Sequence, residues 1–205
     1  MSSKRVAIFI SGRGSNMAAL IDAAKAQSFP AEIALVLSNR PDAAGLVRAR
    51  DHGIPTAIVD HKPYGKDRAA FERALTSELD ARRIDLICLA GFMRLFTPEF
   101  VMVWQERMLN VHPSLLPCFP GLDPHGQALR AGVKVSGATV HFVIPQTDVG
   151  PIVAQAPVPV HEDDTAETLA ARVLAAEHAI YPEALKLVAQ GRVRVAESRC
   201  FIDPA

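Results

Sequence analysis

Five apolar runs in the first 112 residues are continuous, without the apolar–polar alternation of a half-exposed strand, and this narrows the fold more than any other feature. They are VAIFI (6–10), AEIALVLSN (31–39), TAIVD (56–60), IDLICLAGF (84–92) and the shorter RMLNVH (107–112). Such runs suit strands buried on both faces of a parallel sheet. Amphipathic segments lie between them. SNMAALIDAAKAQ (15–27) opens on Ser15 and Asn16, both N-cap types. DAAGLVRARDHG (42–53) stops at a glycine, and DRAAFERALTSELDARR (67–83) is rich in helix formers. This alternation predicts an α/β, doubly wound, mostly parallel sheet with right-handed crossovers.

The pattern changes after residue 120. HGQALRAG (125–132) reads as a short helix. SGATVHFVI (136–144) and PIVAQAPVPV (151–160) read as an antiparallel pair, joined by a loop carrying Asp148 and Gly150. A long helix is predicted over 165–191, with Asp164 and Glu167 at its start, Gly191 at its stop, and a kink or break at Pro182. No repeat or linker divides the chain, so residues 1–205 are expected to form one domain.

Lys+Arg and Asp+Glu are both 22, which leaves no basic surplus for a nucleic-acid partner. No run is long enough to cross a bilayer. The lead MSSKRVAIFISGRGSN is too short in its apolar part for a secretory signal, so that part is read as the first buried strand. Cys88, Cys118 and Cys200 are odd in number, far apart and without a CxxC, which points to reduced thiols in a cytoplasmic protein.

SGRGSN (11–16) links the first strand to the first helix, a turn that presents backbone N–H groups and a positive helix end to an anion. The dinucleotide fingerprint is incomplete. Met17 stands at its third glycine position, the second strand ends in Asn39 and Arg40 with no acidic residue, and no Walker lysine follows. The loop alone supports a one-phosphate site and a purely conformational turn equally.

Asn110 and His112 stand two apart at the end of the fifth strand, the edge where open parallel sheets hold ligands. Prolines at 113, 117 and 120 stiffen the exit. A histidine there suits acid–base work and an asparagine amide suits an oxyanion, with Asp148 placed to orient the histidine. Spacing alone also allows a structural histidine in a proline-rich turn. His52 and His61 fall near turns and read as surface, His125 as a helix start, His161 as loop and His178 as helix, while His141 allows either face of its strand. No histidine pair has metal-ligand spacing, so no metal is expected. The absence of G-x-S-x-G, and the prolines between His112 and Cys118, count against nucleophilic catalysis.

ISGRGSN, LAGFMRL, LNVHPSLLP, FPGLDPHGQAL, GATVHFV, DVGPIVAQ and EHAIYP occur in one order. With this set the chain resembles the phosphoribosylglycinamide formyltransferase family, folate-dependent enzymes of purine biosynthesis, over roughly residues 5–195. The resemblance implies transfer of the formyl group of 10-formyltetrahydrofolate to the amino group of glycinamide ribonucleotide, through a tetrahedral species and without a covalent enzyme intermediate. It implies that Asn110, His112 and Asp148 are catalytic, and that Gly14, Ser15, Asn16 and Glu177 bind the ribonucleotide. It places the folate around Arg68, Phe92, Met93, Arg94, Leu95 and Phe96, and around the 144–148 loop. Residues 1–110 then form a phosphate-binding half, and 111–205 complete the folate and catalytic site. The expected partners are these small molecules, with no nucleic acid and no membrane, in a monomer or homodimer. Pattern departures are Asp123 and Pro124, where many members carry His-Thr or Asn-Ala, Gly126 in place of a larger residue, and Val149 where a second glycine is common. Relatives with the same core carry more chain, a C-terminal tRNA-binding domain in methionyl-tRNA formyltransferase and an N-terminal regulatory domain in formyltetrahydrofolate hydrolase. A different class, a non-catalytic phosphosugar-binding module, would keep the glycine loop without needing Asn110, His112 and Asp148 together.

Overall fold

Strand β1 (Lys4–Ile10) shows why its run is continuous. Val6, Ile8 and Ile10 pack on one face of the sheet, Ala7 and Phe9 on the other, and all five are fully buried. Each fully buried branched side chain of this kind contributes about 2 kcal/mol. The structure is a computed structural model that describes residues 3–204. Met1 and Ser2, at the start of the MSSKR lead, and Ala205, at the end of the expected 1–205 domain, lie outside the described residues.

The elements that follow are α1 (Ser15–Ala24), β2 (Ala31–Ser38), α2 (Ala44–Asp51), β3 (Thr56–Ile58), α3 (Arg68–Ala81), β4 (Leu86–Leu89), α4 (Pro98–Val103) and β5 (Met108–His112). Next come α5 (Pro124–Ala131), β6 (Val135–Phe142), β7 (Ile152–Pro159), α6 (Ala166–Ala189), β8 (Val193–Ala196) and β9 (Arg199–Ile202). The main sheet has seven strands in the order β3-β2-β1-β4-β5-β6-β7. The first five are mutually parallel, and β6 and β7 are antiparallel, as the sequence predicts. One face is covered by α1, α2 and α6 through Leu20, Leu46 and Leu185, and the other by α3 and α4 through Leu75 and Phe100. The strand order reverses between β1 and β4, so the crevice at their carboxyl ends is the ligand position of such sheets.

Several expectations are corrected. Pro182 does not break the long helix, which runs as one element from Ala166 to Ala189. Proline removes one backbone bond, whereas Tyr181, Ala184 and Leu185 beside it are fully buried, and the Tyr181 hydroxyl donates to the carbonyls of Leu89 and Leu109, 3.1 Å each. Packing on two strands outweighs the lost bond. The helix is capped one residue later than expected, by Thr165 and Thr168, while Asp164 is held by Arg172. Ser15 and Asn16 are the first helical residues of α1, and the cap position is Gly14 in a left-handed conformation. The six-residue α4, too short for a visible period, and the half-exposed β8–β9 hairpin carry no expectation.

Candidate active site

The glycine loop leaves β1 at Ser11, whose N–H donates to Gly91 O at 3.1 Å and so ties the ends of β1 and β4. Gly14 has φ 69°, where a side chain is disfavoured, and no side chain caps α1 among the described residues. The first N–H groups of α1 therefore stay open to an anion. They line a cleft of about 470 Å³ together with Asn39, Arg40, His61, Met93 and Arg94. Asn16 lies in this lining and donates from Nδ2 to Glu177 Oε2 at 2.6 Å, joining α1 to α6. Burial pushes the Glu177 carboxyl up, and the Asn16 bond opposes the shift. The Oδ1 of Asn16 has no partner among the described residues.

His61, read from the sequence as surface, lines the cleft instead. Its Nδ1 sits 2.9 Å from Asn39 O and 3.1 Å from Asn39 Nδ2. Asn39 in turn accepts from Ser11 Oγ at 2.6 Å, and Ser11 Oγ accepts from Met93 N–H at 2.8 Å. Asn39, Arg40 and His61 follow the carboxyl ends of β2 and β3, so the edge rule that picks out Asn110 and His112 would have found them too.

On β5, Leu109 and Val111 enter the core under α6, which turns Asn110 and His112 to the opposite face together. His112 Nδ1 lies 3.5 Å from Asp148 Oδ2, with both side chains under one-tenth exposed. His112 Nε2 lies 3.0 Å from Phe119 O. Both ring nitrogens thus face acceptors, the arrangement that a doubly protonated ring satisfies. Asp148 Oδ2 also accepts from Gly121 N–H at 2.8 Å. His141 completes the cluster from β6, opposite Asn110 in the ladder. Its Nδ1 lies 2.9 Å from Phe142 O, its Nε2 lies 3.3 Å from Asn110 Nδ2 and 4.0 Å from Asp148 Oδ1. Burial holds the His141 ring below its ordinary value, with the Phe142 carbonyl and Asp148 opposing. A neutral ring with its proton on Nδ1 accepts from Asn110 at Nε2. The sequence left the face of His141 open, and the antiparallel register settles it.

The FMRLF stretch divides. Phe92 stacks on Phe96 at 5.4 Å and tilts onto Phe9 at 5.3 Å, so both aromatics lean on the core. Met93 and Leu95 are 73% and 61% exposed, and Arg94 lines the cleft. Arg68 starts α3, is exposed, and is not among the cleft residues. Among the described residues no cluster of three or more His, Cys, Asp or Glu could hold a metal, and no helix is long and apolar enough to cross a membrane.

Residues 4–185 match the formyl transferase family. The chain belongs to the formyl transferase family. It is 43% identical to phosphoribosylglycinamide formyltransferase of Escherichia coli (strain K12) over 97% of this chain and 93% of that protein. It is 52% identical to the bovine (Bos taurus) trifunctional purine biosynthetic protein adenosine-3 over 95% of this chain, and spans 19% of that relative. The crystal structure of glycinamide ribonucleotide transformylase 1 from Symbiobacterium toebii superposes with a TM-score of 0.95 at 47% identity, over 98% of this chain and 95% of that one. The mostly parallel sheet flanked by helices is the fold of this family.

Proposed function

We propose that the chain transfers the formyl group of 10-formyltetrahydrofolate to the amino group of glycinamide ribonucleotide, giving N-formylglycinamide ribonucleotide and tetrahydrofolate. The observation that carries the reading is the Asn110–His141–Asp148–His112 cluster, buried except for a half-buried Asn110, at the same sheet edge as the open N–H groups of α1. The loop at Gly14, Ser15 and Asn16 takes the ribonucleotide phosphate, and Glu177, held by Asn16, takes the sugar side. Met93, Arg94 and Leu95 receive the folate, with Arg94 at its anionic end and Phe92 and Phe96 as their packed support; Arg68, on α3 outside the cleft lining, is an outlying contact.

The amine nitrogen attacks the formyl carbon, and the C=O becomes a C–O⁻. Asn110 has two amide protons, and only one is directed at His141, so the second can be given to this oxygen. His112, held between Phe119 O and Asp148, contributes positive charge. Asp148 faces the His112 ring and places a water that carries the proton from the attacking amine to the folate nitrogen as its bond to carbon breaks. Both substrates are small molecules, and every group named comes from one chain, so a monomer or a homodimer serves. The three free cysteines favour a cytoplasmic setting. Residues 1–110 supply the phosphate loop, and 111–205 most of the reacting groups.

The test is formyl transfer by the wild type and by His112→Ala, with ribonucleotide binding measured in parallel. The expected result is transfer by the wild type and a loss of about 100-fold or more in the variant, with binding kept. Full activity in the variant removes His112 from the chemistry. Binding without transfer in the wild type favours a phosphosugar-binding module.

A further inference from the structure

The turn at 119–123 touches both members of the His112–Asp148 pair. Phe119 offers its carbonyl to His112 Nε2 at 3.0 Å, and Gly121 gives its N–H to Asp148 Oδ2 at 2.8 Å. Phe119, Gly121 and Asp123 all have positive φ, at 54°, 76° and 55°, so three of five consecutive residues sit in the left-handed region. Such a turn persists only where its surroundings fix it. The fixing comes from α5. The Asp123 carboxylate caps the helix by accepting from Gly126 N–H at 3.2 Å, and its other oxygen accepts from Arg130 at 3.1 Å. Gln127 donates from one amide to Pro120 O at 3.0 Å and Leu122 O at 2.8 Å. Gly126 leaves the room for this cap. A Cβ there would lie 2.3 Å from Asp123 Oδ2 and 2.5 Å from Oδ1, so any side chain at 126 displaces the carboxylate.

We propose that Asp123, acting through its cap on α5 with Gly126 as the required partner, is a positioning residue that holds the 119–121 turn against His112 and Asp148. It touches no reacting atom in the reaction proposed above, on which only the kinetic part of the inference rests. Asp123 and Gly126 form a matched set: the carboxylate occupies the space that a side chain at 126 would take. Other charged or titratable groups facing the pair are His141, 4.0 Å from Asp148 Oδ1, and His125, on the first turn of α5 and electrostatically coupled to both His112 and Asp123.

The test uses the whole chain and three variants, Asp123→Ala, Gly126→Ala and Asp123→Asn. Asp123 is exposed, so the folded state survives its loss, and asparagine both caps helices and tolerates positive φ. The first readout, amide hydrogen exchange at Gly121, needs no activity. Protection is expected to fall about tenfold or more in Asp123→Ala and Gly126→Ala and to be kept in Asp123→Asn. The second readout is kinetic. In the first two variants kcat is expected to fall by up to about 100-fold, with KM for the ribonucleotide unchanged because its phosphate loop lies on α1. Asparagine restores kcat. Unchanged Gly121 exchange in both cap-breaking variants overturns the proposal, and so does a KM effect without a kcat effect. Lost protection in a protein whose wild type transfers no formyl group upholds the clamp and overturns the reaction instead.

Discussion

At the scale of single residues, Asp148 holds the cluster together. It has φ 57°, is nearly buried, and accepts from Gly121 while facing His112 and His141. An asparagine there keeps the shape but loses the charge and offers His112 an amide in place of a full acceptor. Asp148→Asn is expected to lower kcat on the order of 100-fold with little change in ribonucleotide KM. Steady-state kinetics decide this, and a kcat within about twofold of wild type would show that the charge is not needed. Glu177 is the opposite kind of residue, a carboxylate pushed up by burial and steadied by one bond from Asn16. A glutamine keeps the acceptor without the charge. Glu177→Gln is therefore expected to raise Tm at pH 7 while weakening ribonucleotide binding, a trade of stability for function. Thermal melts and a binding titration check the two halves separately.

At the scale of elements, the site depends on how closely β6 and β7 turn back on each other. Gly150 ends the 144–150 loop, and a Cβ there would lie 1.8 Å from Phe142 O and 3.3 Å from His141 Nδ1. Phe142 O is backbone within the antiparallel pair, so no rotamer change relieves the contact. Gly150→Ala is expected to cost about 2 kcal/mol in urea unfolding and to lower kcat, since it moves the strand end that carries His141. Unaltered stability would mean that the loop enters β7 by another path. The same pair of strands shows what sequence could reveal. Continuous burial on two faces wrote the parallel strands plainly into the chain, because Val6, Ile8 and Ile10 and their neighbours Ala7 and Phe9 need opposite cores at once. That Asn110 and His112 share one face at the end of a strand was legible from strand period and position. His141 was not, because its partner across the ladder depends on register. His61 was legible in principle, because it follows the TAIVD run directly, but its place near a turn reads as surface when the edge rule is not applied to it. Gly14 in place of a side-chain cap, and the unbroken helix through Pro182, depend on tertiary contacts that outweigh local preference.

At the scale of the whole molecule, buried and half-buried titratable groups set how folding responds to acid, and they pull in two directions. Burial lowers His141, and it also lowers His125 and His178, from the ordinary value of 6.5. In each case the unfolded chain binds a proton that the folded ring resists. The stability that these rings contribute is present above pH 6.5 and is lost as pH falls below it toward their folded values. Glu177 is raised above 4.5, so folding favours its protonated form. Its contribution is fully present below pH 4.5 and is lost as pH rises through its folded value. Acidification from pH 7.5 should therefore weaken the fold through the histidines, while protonation of Glu177 offsets part of the loss. Urea midpoints between pH 7.5 and 5 are expected to fall in the wild type. They should fall more steeply in Glu177→Gln, which starts from a higher midpoint and lacks the offset. A flat profile in Glu177→Gln, where no offset operates, would mean that the rings take up protons as readily as in the unfolded chain. Parallel slopes in the two proteins would mean that Glu177 is already solvated in the folded state and that its bond from Asn16 does not enclose it.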